Sequence, residues 1–165
     1  MAMAARFLRW YEYEKDSHEK VLASLAGLDL VQRDEPGFMK ALELLAHTTA
    51  ARRLWLARLG VTKEGPKSLF PHELALESVA GDLAVVQNLW TAYLASLSDS
   101  DLERVVVYQS TEGEWFKTGV EDILTQLFGH SWYHRAQVAT LVKSMGAAPA
   151  ITDFIFWCRE PIAAP

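Results

Sequence analysis

The sequence predicts an all-α fold, a four-helix bundle with one long crossover that carries a short hairpin or extended segment between helices 3 and 4. Three observations lead there. Four long segments carry apolar residues at helical spacing. Pro and Gly cluster between those segments. The one stretch rich in β-formers falls in the last long connection.

The first helix runs roughly from Ala4 to Leu25. Phe7, Leu8, Tyr11, Val21, Leu22 and Leu25 are apolar, with charges between them. "DLVQRDEPG" then reads as a connection. The second helix starts near Pro36, behind Asp34 and Glu35, which favour a helix N-terminus. It carries two neighbouring stripes. One is Leu42, Leu45, Thr49, Leu56 and Leu59; the other is Leu44, His47, Ala51 and Leu54. Together they make a broad buried face, and Gly60 is its stop. "VTKEGPKSLFPHE" is the second loop. The third helix begins at His72 or Glu77 and ends at Leu97, with Leu83, Val86, Leu89, Trp90, Tyr93, Leu94 and Leu97 on its apolar face. Val105, Val106, Val107 and Tyr108 form the extended excursion, and Glu112-Gly113 its turn. The fourth helix spans about Val120 to Met145 and stops at Gly146. Its seam reads Ile123, Leu127, His130, His134, Val138, Leu141 and Met145. The tail "DFIFWC" is apolar enough to pack back onto the bundle or onto a second subunit. Four such helices with one long 3–4 crossover make a bundle of one domain.

Composition excludes several classes. Half of the 165 residues are hydrophobic, enough for one sizeable core. The net charge is −5 and no basic tract exists, so nucleic acid is not an expected partner. The single cysteine, Cys158, allows no internal disulfide and no thiolate cluster, which fits a reducing compartment. The first twenty residues lack an apolar h-region and no run is long enough to span a membrane. Cytoplasmic location is the expectation.

The chemistry lies in "GHSWYHRAQV", residues 129–138. His130 and His134 stand at i and i+4 and share a helix face. Two imidazoles so placed can converge on one metal ion. The pair alone also fits two polar residues brought to one face by chance. His47 favours the metal. It lies mid-way along the second helix, and three histidines turned inward need partners. One divalent ion satisfies all three lone pairs, and three neutral ligands leave positions open, which is the catalytic pattern. A di-metal carboxylate site fits poorly, since no Glu stands three residues before any histidine. His72 reads as solvent-exposed. His18 is ambiguous: it stands between Ser17 and Glu19 on the first helix, and it lines the pocket only where its turn faces the fourth helix. Arg135 reads first as a structural salt bridge, to Asp153 or Asp122, and second as an anion clamp. Tyr13, Trp55, Trp90, Trp132 and Tyr133 read as core or interface filler. No nucleophile elbow, Walker or dinucleotide glycine pattern occurs.

The stretches "ELLAHTTAARRLWLARLG" at 43–60, "SDSDLERVVVYQSTEGEWFKTGVEDILTQLFGHSWYHRAQVATLVKSMG" at 98–146 and the tail "TDFIFWCRE" resemble the DinB-like family, in the wider DinB/YfiT superfamily of metal-dependent bacterial proteins. The most specific part is His-x-x-x-His-Arg-x-Gln on the last long helix. The resemblance implies a four-helix bundle with a divalent metal, Zn²⁺ or Ni²⁺, on His47, His130 and His134. It also implies a small-molecule substrate, a low-molecular-weight thiol as cofactor in an S-transferase-like reaction, and a homodimer. Relatives often carry Gly at Ala136 and His at Gln126; the Gln126 side chain is expected near a bound water. A second class stays open, a stress-related binding protein in which the metal is structural or absent.

Overall fold

The structure, a computed structural model, describes residues 2–162. In chain order the elements are α1 (Met3–Ala26), α2 (Leu30–Arg33), α3 (Pro36–Arg58), α4 (Leu76–Ser96), α5 (Asp99–Leu102), β1 (Val105–Gln109), β2 (Trp115–Gly119), α6 (Val120–Ser144) and α7 (Phe154–Cys158). The protein is mostly helical, with one two-stranded sheet. Its four long helices are the four periodic segments of the sequence.

The connections differ from the simple loops expected. Between α1 and α3 the sequence Asp-x-x-Gln closes a capping box. Gln32 N–H donates to Asp29 Oδ1 at 2.9 Å, and Asp29 N–H donates to Gln32 Oε1 at 3.0 Å. That reciprocal pair is enough to wind the single turn α2. The third long helix starts at Leu76, not at His72, because Glu73 holds φ +54°, outside the helical region. The excursion after α5 is an antiparallel hairpin with Tyr108 opposite Phe116. Its turn contains Gly113 at φ +92°, a conformation that glycine enters without steric cost. The tail folds back onto α1. Tyr13 meets Phe154 edge-on at 5.1 Å, and the Arg9 guanidinium lies 5.5 Å from the Trp157 ring. Among the described residues no helix is long and apolar enough to cross a membrane.

The core has two apolar halves. One gathers Phe7, Tyr11, Leu56, Trp90, Leu124 and Phe128. The other gathers Leu25, Leu42, Leu45, Val138, Val142 and Met145. Between them in sequence, on every one of α1, α3 and α6, stand buried polar residues: Glu14, Ser17 and His18; Thr48, Thr49 and Arg52; Ser131 and Arg135. α3 packs most extensively on α6. They run antiparallel, since Gly37 approaches Met145 and Leu141 while His47 meets His130 and His134.

Glu14 ties the polar layer together. Its Oε2 accepts from Arg52 Nη2 at 2.8 Å, and its Oε1 accepts from Arg135 Nη1 at 2.7 Å and from Trp132 Nε1 at 2.8 Å. Arg135 also donates to the Tyr13 hydroxyl and to Thr152 Oγ1. Arg135 is therefore structural, as its first reading held, but its carboxylate is Glu14 on α1 and not Asp153 or Asp122. His18 is a core residue. Its Nδ1–H donates to the Glu14 carbonyl at 2.8 Å, and its ring is 1% exposed. Burial, and then the Arg52 cation, push its pKa down to about 4, so the ring is neutral and makes no ion pair with Glu14. Burial pushes the Glu14 carboxyl up, but the Arg52 guanidinium, with Arg135 behind it, brings it down to about 2.

Both shifts have one sign. The folded state holds fewer protons than the unfolded chain, so stability rises with pH across each window. The His18 contribution is lost as pH falls from 6.5 to about 4, and the Glu14 contribution as pH falls from 4.5 to about 2. Removing the Glu14 charge leaves two buried guanidiniums uncompensated. Glu14→Gln is expected to lower stability at neutral pH by about 3–5 kcal/mol. It should also flatten the acid limb below pH 4.5, both read from denaturant titrations across pH on the metal-free protein. An unchanged limb would remove Glu14 from this role.

Candidate metal centre

His47 comes from the middle of α3, and His130 and His134 from the middle of α6. The antiparallel pairing of these helices brings the three rings to one place. His130 Nε2 lies 3.2 Å from His47 Nε2 and 3.0 Å from His134 Nε2. The ring planes cross at 76°, 85° and 90°, so each nitrogen approaches from its own direction. Two nitrogens bound to one tetrahedral ion at about 2.0–2.1 Å stand about 3.3 Å apart. The spacing suits a shared ion.

The protons make the same point. His47 Nδ1–H donates to the Leu69 carbonyl at 2.8 Å, and His134 Nδ1–H donates to Gln137 Oε1 at 2.7 Å. In a neutral ring that leaves Nε2 as a bare lone pair. Even with a proton on Nε2, His130 serves one neighbour and not both. The other neighbour's Nε2 lone pair then faces His130 at about 3 Å with no proton to accept, a shortfall that a cation relieves. Burial, followed by the neighbouring His134 and His47, pushes the His130 pKa down to about 4. Burial also lowers that of His134. Both rings are therefore in the neutral form that binds a metal.

The trio is not in the deepest seam, as the sequence suggested. On α6 the fully buried stripe is Leu124, Phe128, Ser131, Arg135, Val138 and Val142. His130, His134 and His47 are each half-buried at its edge. The reason is Arg135. Its guanidinium takes the central position opposite Glu14, and the helix turns accordingly. The consequence is access, since two of the three, His47 and His134, line a cavity of about 120 Å³ together with Glu43, Phe70 and His72. A larger cavity of about 470 Å³ shares Pro71 with it but contains none of the three histidines.

Several contributors were missed in the sequence. Phe70 stacks on His47 with ring centroids 4.7 Å apart, and Leu69 supplies only a carbonyl. Neither carries a periodic signal, because the segment between α3 and α4 is irregular. Gln137 was the one with a signal. It stands at i+3 from His134, within reach on a helix, and is the last residue of His-x-x-x-His-Arg-x-Gln. Gln126 is exposed on α6, as is Ala136. His72 is exposed as expected. Of the aromatics, Tyr13 and Trp90 are core, whereas Tyr133 is 62% exposed against His134. Trp132 is a hydrogen-bond donor to Glu14 and not mere filler. Cys158 lies in α7 and takes no part.

Fold and site thus define a mostly helical protein with a three-histidine cluster on two antiparallel helices. The DinB family model matches residues 1–160, and the chain belongs to the DinB family. A crystal structure of a DinB-like protein from Bacillus cereus ATCC 10987 shares the fold, with a TM-score of 0.65 and 23% sequence identity over 88% of this chain and 95% of that one. No curated protein matches the chain.

Groups that fix a ligand's tautomer tune metal affinity by about 10–100-fold. Gln137→Ala is therefore expected to weaken Zn²⁺ binding by that factor in calorimetric titration. His134→Ala should abolish stoichiometric binding. Full affinity in the His134 variant would break the assignment.

Proposed function

We propose that this is a divalent-metal-dependent enzyme in which a four-helix bundle holds Zn²⁺ or Ni²⁺ on His47, His130 and His134. The carrying observation is the convergence of three Nε2 lone pairs, two of them fixed by Nδ1–H donation to Leu69 and Gln137. The donor set is three imidazoles with no carboxylate or thiolate, and two of them line a cavity. That fits a site with positions left for water or substrate rather than a closed structural one. When bound, the ion supplies Lewis acidity and lowers the pKa of a thiol or water brought to it.

The chain's own residues set the rest. Leu69 and Gln137 orient the ligands. Phe70 covers one face of His47 and excludes water there. The small cavity, walled by Leu44, Phe70 and Pro71 and by the polar side chains of Lys40, Glu43 and His72, admits the reacting end of a small molecule. Thiol transfer to an electrophile, with a low-molecular-weight thiol as cofactor, is the first reaction class, and hydrolysis the second. Cytoplasmic location and a homodimer belong to the same reading.

The apolar clusters bury their side chains without help from the triad, so the fold does not need the ion. Chelation is expected to abolish turnover of an electrophile with bacillithiol, mycothiol or glutathione while the helical circular-dichroism signal at 25 °C persists. Unfolding on chelation, from a protein that turned over none of them, would favour the structural-metal reading.

A further inference from the structure

We propose that His72 and Glu43 form the proton-transfer dyad of the three-histidine site, with His72 as catalytic base and Glu43 as its positioning residue. The inference rests on the metal reading of that site.

The segment 69–72 is fastened along α3. Leu69 accepts from His47, Phe70 stacks on His47, and His72 reaches Glu43, one helical turn before His47. Pro71, with its fixed φ, stiffens the link. Two contacts to the histidine and one to Glu43 set where His72 sits relative to the trio. His72, Glu43, His47 and His134 line the same cavity of about 120 Å³, which has room for a few waters or the reacting end of a substrate.

The dyad has the geometry of an oriented base. His72 Nδ1–H donates to Glu43 Oε1 at 2.9 Å. Nε2 is then left as a lone pair, the arrangement by which a carboxylate orients a histidine base. Lys40 Nζ donates to Glu43 Oε2 at 3.3 Å. The hydrogen bond from His72, with that from Lys40, holds the Glu43 carboxyl below its ordinary range, so it stays ionised. The charged and titratable groups around His72 are Lys40, Glu43 and His47 from α3 and His134 from α6. As an exposed hydrogen-bonded pair the dyad adds little to stability. Its significance is its place at the mouth of the site.

The step balances simply. The S–H bond of a thiol breaks, its electron pair stays on sulfur, and the proton forms an N–H bond at His72 Nε2. The resulting imidazolium lies against the Glu43 carboxylate. The His72 side chain is 69% exposed and passes the proton to solvent.

The test uses the full chain loaded with Co²⁺ and 2-mercaptoethanol as the thiol probe. The rate at which the sulfur-to-cobalt absorption band appears is followed by stopped flow. His72→Ala is expected to slow it about 10²-fold, the lower end of general-base effects, with Co²⁺ affinity unchanged. Imidazole in the buffer should restore the rate. Glu43→Gln should give a smaller loss that imidazole does not repair. Equal rates in wild type and His72→Ala, with Co²⁺ bound in both, would overturn the dyad and leave the metal site standing. No sulfur band in Co²⁺-loaded wild type would overturn it as well, since no thiol proton then reaches His72. Wild-type protein that takes up no Co²⁺ would overturn the metal reading together with the dyad.

Discussion

A buried carboxylate bridging two buried guanidiniums governs this molecule. Glu14 from α1 holds Arg52 of α3 and Arg135 of α6. An unpaired charge at that depth is very costly, and the three helices pack so that both guanidiniums reach the one carboxylate, Arg52 through Nη2 alone. Apolar side chains alone tolerate slippage, because many packings bury similar area. The polar layer does not. It fixes the rotation of α6 and the register of α3 on α6, and that register brings His47 opposite His130 and His134.

The rotation has a functional result. With Arg135 in the deepest position of α6, the adjacent His134 and the preceding His130 stand at the seam's edge. They are buried enough to stay neutral and exposed enough to meet a ligand. A trio in the seam itself would have been closed. The irregular segment between α3 and α4 then completes the site from outside, with one carbonyl, one aromatic ring and His72, which reaches Glu43 of α3. Helices supply the three histidines and a loop supplies what surrounds them.

The long helices and the hairpin were legible because periodicity and Pro/Gly punctuation are local properties. So was the trio, from the i,i+4 pair and a mid-helix histidine elsewhere. The short helices were not, since a capping box winds a single turn with no apolar stripe to betray it. Glu14 was legible in principle. Phe7, Tyr11, Glu14, His18, Val21 and Leu25 alternate at four and three residues along one face of α1, and the structure buries every one of them. A charged residue in that row signals a buried pair, but the charges around it make it look like solvated surface. Its partners lie 38 and 121 positions away. No local pattern identifies them. The loop contacts of His47 were illegible for a plainer reason, because a backbone carbonyl has no sequence signature.

The central claim is that three imidazoles from two helices bind one ion and leave part of its coordination open. X-ray absorption on the Zn²⁺-loaded protein tests it most directly. The account predicts three nitrogen scatterers at about 2.0–2.1 Å with the outer-shell pattern of imidazole, completed by light atoms from solvent. Fewer than three imidazoles, or a protein sulfur at about 2.3 Å, would contradict it.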